Sequence, residues 1–157
     1  MSNNWLAALG VAAAVVSGLA ALVAVVMQLR LFNKQLTVQI YSDYTKRYQE
    51  IIGRFPEDIN DAGFELHGRS DYDQVMRAMR MYFDLCFEEW HLHRQKLIGA
   101  AIWSVWDAGL KTALSKPAFA QAWTVVMNSS DYGGEFEAFI GSPQISRSVT
   151  GSGTPSK

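Results

Sequence analysis

Cysteine is almost absent from this chain. Cys86 is its one thiol, so no intramolecular disulfide can form, which suits a reducing compartment. Its apolar setting, Leu85-Cys86-Phe87, reads as that of an inert core thiol rather than a nucleophile. No excess of either charge exists: Lys plus Arg is 14 and Asp plus Glu is 15. That balance argues against nucleic acid as a partner, because neutralising phosphates needs a basic surface. Neither Pro nor Gly interrupts Leu19 to Ile52, so nothing there stops a helix. Also missing are a nucleophile elbow, a phosphate loop, paired cysteines and a Gly-rich dinucleotide turn. Gly133-Gly134 reads as an isolated turn. No internal repeat and no strand pattern are present.

What is there begins with a long apolar run. From Leu6 to Met27 only Ser17 is polar. About 24 residues at roughly 1.5 Å each span about 36 Å, enough for a hydrocarbon core of about 30 Å. Trp5 marks one end at headgroup level, and Gln28, Arg30 and Lys34 mark the other. A cleaved signal peptide would need a basic start, a shorter core and a small-residue cleavage site, and Met27-Gln28-Leu29-Arg30 is a poor one. A buried helix of a soluble protein is rarely apolar on every face at this length. The expectation is a single transmembrane helix over 5–29. No basic side chain precedes it, whereas Arg30, Lys34, Lys46 and Arg47 follow, so the positive-inside rule puts the C-terminal side in the cytoplasm. Residues 1–4 are then an extracytoplasmic stub. Within the helix Ala7, Gly10, Ala14, Gly18 and Ala21 form one small-residue stripe, suited to close helix packing in lipid.

The rest predicts an all-α fold. Leu29, Phe32, Leu36, Ile40, Tyr44, Tyr48 and Ile51 keep a helical period, so the membrane helix continues as a stalk over 30–53, ended by Gly53 and Pro56. A small helical bundle is expected over 54–140, beginning with an acidic connector and a short turn around Pro56 to Ala62. Its central helix runs from Ser70 to Leu97, with Ser70 and Asp73 resembling a capping box, Lys96 in the last turn and Gly99 as terminator. Helices follow at Ile102 to Leu114, after Pro117, and at Glu135 to Ile140. Residues 141–157 are rich in Ser, Thr, Gly and Pro and read as a disordered tail.

No catalytic or cofactor-binding residue emerges. The sharpest chemical candidates are Asp84, Glu88 and His91, spaced to share one helix face and containing an E-x-x-H step. Carboxylate-bridged metal bundles use two such steps, and this chain has one, so the metal signal is weak. Arg77, Arg80, Asp84 and Glu88 alternate in sign and read better as an ion-pair ladder, from which a carboxylate can hold Arg47 of the stalk. Trp90, Trp103, Trp106 and Trp123 fall on three helices and read chiefly as core. Of these, Trp103, Trp106 and Trp123 are the candidates for contact with a partner.

Tyr44-Thr45-Lys46-Arg47-Tyr48, Arg80-Met81-Tyr82-Phe83 and Phe87-Glu88-Glu89-Trp90, followed by Gly99, Trp103, Trp106, Pro117-Ala118-Phe119 and Trp123, carry a resemblance. The chain resembles a family of short bacterial membrane proteins of unknown function, with one N-terminal transmembrane helix and a small cytoplasmic helical domain. That resemblance implies the bacterial inner membrane and implies no activity. The expected function is therefore non-enzymatic: an interaction or scaffold module in contact with lipid, self-associating or docked to another membrane protein. The alternatives are a metal-binding or enzymatic domain using Asp84, Glu88 and His91, and a sensor whose stalk transmits binding.

Overall fold

The computed structural model describes residues 4–141 and is all-helical; no strand occurs among them. Residues 1–3 of the expected stub and the expected tail from residue 142 onward lie outside the described residues. Helix α1 spans Asn4–Ile52, a single 3-10 turn follows at Glu57–Asn60, and then come α2 (Tyr72–Arg94), α3 (Ala100–Leu114), α4 (Pro117–Met127) and α5 (Gly134–Ile140). The chain divides into two compact units, Met1–Ser42 and Asp43–Lys157.

In the first unit the helix is long and apolar enough to cross a membrane, by length and composition. Its large apolar side chains stay exposed on every face, Val16 at 66% and Leu22 at 61% for example. The helix forms there because nothing in the run breaks it, and its backbone groups bond one another whatever surrounds them.

In the second unit α2 is the central element. Val75, Met76, Met79, Tyr82, Phe83, Cys86 and Trp90 recur at three- and four-residue steps and are buried, while Arg77, Arg80 and Asp84 point out. Leu110 and Leu114 of α3, Phe119, Ala122 and Val126 of α4, and Phe136 and Ile140 of α5 close on that face. Ile51, at the end of α1, belongs to the same core.

Both ends of α2 differ from the sequence expectation. Asp71 occupies the N-cap with no side-chain cap bond, so the Ser70–Asp73 capping box is not formed. The Asp71 carboxylate is held instead by Arg69, whose Nε donates to Oδ1 at 2.8 Å. At the other end the helix stops at Arg94 because Lys96 takes a left-handed backbone, φ 58. The Lys96 N–H donates to the His93 carbonyl and the Leu97 N–H to the Leu92 carbonyl, satisfying two carbonyls of the last turn. Gly99, expected as the terminator, has an ordinary extended backbone and caps α3. A left-handed Lys costs about 1 kcal/mol that Gly would not. Lys96→Gly is expected to raise stability by about 0.5 kcal/mol after its added freedom in the unfolded chain is subtracted, measured by urea unfolding.

The connector before α2 is fastened rather than loose. Gln121 of α4 accepts the Leu66 N–H at 3.0 Å and donates to the Phe64 carbonyl at 3.3 Å. Arg69 also reaches Asp58 at 2.7 Å and lies over the Phe64 ring. The acidic run therefore serves Arg69, through Asp58.

Candidate functional site

A polar cluster of the second unit lies where residues 44–51 of α1 meet α2. The period that puts Tyr44, Tyr48 and Ile51 on one side of α1 turns Arg47 toward the same neighbour. Arg47 grips the Glu88 carboxylate with both ends of its guanidinium, Nη1 to Oε2 at 2.6 Å and Nη2 to Oε1 at 3.0 Å. The Tyr44 hydroxyl donates to Glu88 Oε2 at 3.0 Å. The Tyr44 ring stacks on Trp106 of α3 with centroids 5.2 Å apart, and the Arg47 guanidinium lies over it. The Arg47 hydrogen bonds hold the Glu88 carboxyl below the usual carboxylate range. Burial, reinforced by the bond to Glu88, pushes the Tyr44 phenol up to about 12. The Arg47 and Glu88 side chains keep 44% and 42% of their surface exposed, so solvent screens the pair and its net contribution is small.

Beneath this clasp lies Glu89. It is the one charged-type side chain buried among the described residues, at 8% exposure, and none of them hydrogen-bonds its carboxyl. Desolvation pushes its pKa up to about 8, with Arg47 pulling down and Glu88 pushing up. Its neighbours on the same face are apolar or neutral. Tyr82 and Cys86 are buried, and burial drives both well above their ordinary values, so the Cys86 thiol is not a nucleophile. Glu89 is not among the sequence-derived candidates, although Tyr82, Cys86, Glu89 and His93 step by four, three and four and place it on the buried face.

The sequence-derived candidates go to separate partners. Asp84 accepts a 2.6 Å hydrogen bond from the hydroxyl of Tyr132, beyond α4, while Glu88 serves α1. His91 is exposed near the Phe87 ring. Among the described residues no group of three or more His, Cys, Asp or Glu is placed to hold a metal ion. Trp123 is buried against Phe83, Phe136 and Tyr132, which makes it a core side chain rather than a contact surface. Trp103 and Trp106 are half-buried; Trp103 stacks on His93 at 4.5 Å with the rings nearly parallel. Gly10, Ala14, Gly18 and Ala21 lie on the exposed part of α1, and a Cβ added at Gly10 or Gly18 would meet nothing within 4 Å. The Ala7 side chain lies outside the described residues.

No family model matches this chain, and neither curated proteins nor solved structures yield a match. The site therefore rests on its own geometry. It holds no activated nucleophile, and its strongest interactions join one helix to another.

Proposed function

We propose that this protein is a single-pass, membrane-anchored interaction module of the bacterial inner membrane, with residues 5–29 in the bilayer and the helical domain in the cytoplasm. The observation that carries the reading is the all-round exposure of apolar side chains along the first unit of α1. In water such a helix would leave a large unsatisfied apolar surface, and lipid removes that penalty. Orientation follows from Arg30, Lys34 and Lys46 after the apolar run and from no basic side chain before it. The family resemblance supports the same membrane. Gly10 and Gly18 would permit close packing with a second copy or with another membrane protein. The domain acts by contact and not by turnover.

Membrane fractionation tests this. The protein is expected to stay in the pellet after alkaline carbonate extraction. Protease should digest the domain in inverted vesicles and spare it in intact spheroplasts. Release by carbonate would refute the anchor, and digestion in spheroplasts would refute the orientation.

A further inference from the structure

Glu89 occupies a place where a carboxylate is hard to accommodate. It faces the packed junction of residues 44–51 with α2, is 8% exposed, and receives no hydrogen bond from a described residue. An ionised carboxyl left there would be a largely desolvated charge with no partner. We propose that the proton on Glu89 is the latch of this junction: protonated Glu89 lets residues 44–51 of α1 seat on α2, and its loss favours an open state in which water surrounds the carboxyl.

The surroundings leave little else to neutralise it. On α1 the groups near it are Arg47 and Tyr48. Arg47 attracts the ionised form but has both ends of its guanidinium on Glu88. On α2 the facing groups are Tyr82, Cys86, Glu88 and, one turn further on, His93, whose ring stacks on Trp103; Glu88 repels the charge. The two charged residues of α3, Asp107 and Lys111, are bonded to each other at 2.6 Å. Helix α4 carries no charged residue, and of the two in α5, Glu135 is paired with Arg94 and Glu137 exerts no effect on Glu89. Opening the junction frees the carboxyl to water, where its ordinary pKa of 4.5 returns. Closure therefore takes up a proton. Between that value and about 8, each unit of rising pH disfavours closure by up to about tenfold. The Arg47–Glu88 clasp stays charged through this window and does not supply the dependence. This device is independent of the membrane reading, because every group in it belongs to the second unit.

Hydrogen exchange on the full chain in mild detergent tests the latch, with rates corrected for intrinsic exchange at each pH. Amides of residues 44–51 are expected to lose protection as pH rises from 6 to 8, up to tenfold per unit, and to level off above. Glu89→Gln keeps the shape without the titration and should show flat, high protection. Glu89→Met should do the same if the amide disturbs packing. Glu88→Gln, which frees Arg47 for an ionised Glu89 and removes the repelling charge, should lower protection and flatten the slope. Flat protection in the wild type, or an unchanged slope in both Glu89 variants, would overturn the proposal.

Discussion

At pH 7.5, Glu89→Gln unfolds from a state more stable than the wild type by about 2–4 kcal/mol, and the gap closes as the pH falls to 4.5. The sign follows from the direction of the shift. The folded pKa of Glu89, about 8, lies above its ordinary 4.5, so the folded state holds a proton that the unfolded chain releases. The stability this group contributes is fully present below about pH 4.5 and is lost as the pH rises to about 8. The slope within that window is up to about 1.4 kcal/mol per pH unit. The amide resembles the protonated acid in shape and does not titrate, so its stability lacks this slope. Urea unfolding in parallel at pH 5, 6, 7 and 8 measures the difference. A variant less stable than the wild type at every pH would show that the carboxylate is welcome where it sits.

Phe136→Ala is expected to destabilise the second unit by about 3–5 kcal/mol. Phe136 is fully buried, and its ring meets those of Phe87, Trp90 and Trp123 at centroid distances of 5.3, 5.4 and 5.9 Å. It comes from α5, a helix of 7 residues. A helix that short is not stable alone. It stays folded because Phe136 and Ile140 insert into the core that α2 and α4 enclose. Removing the ring leaves a void among aromatic side chains and detaches the helix that could otherwise relax into it. Urea unfolding gives the magnitude, and a red shift of tryptophan emission would report water reaching Trp90 and Trp123. A loss below about 1 kcal/mol would mean that α5 is held elsewhere.

These two residues mark what the sequence discloses and what it hides. Phe136 was legible because it belongs to an apolar pattern with helical period. The same pattern located α1 through α5 with ends in error by a few residues. The ends failed where side chains made a different choice: Asp71 pairs with Arg69 rather than capping, and Lys96 adopts the conformation expected of a glycine. The Arg47–Glu88 pair was legible too, since a charge ladder on α2 and one arginine on the stalk invite it. Glu89 was not, because Glu88 and Glu89 are neighbours of one type and only the register of the packed helix makes one a surface ligand and the other a buried acid. Gln121 was equally hidden; nothing in local sequence says that its amide will bridge Phe64 and Leu66. Long-range polar partners depend on how helices are placed, which periodicity alone does not determine.

The first helix is proposed both as an anchor and as a contact surface. Placing single cysteines along it in a Cys86→Ser background and oxidising native membranes tests both at once. Gly10→Cys and Gly18→Cys should give disulfide-linked dimers, or link to a cysteine of one other membrane protein, while Val16→Cys and Val23→Cys, on the opposite face of the helix, should not. Uniform cross-linking at all four positions, or none at any of them, would contradict a specific helix contact in the membrane.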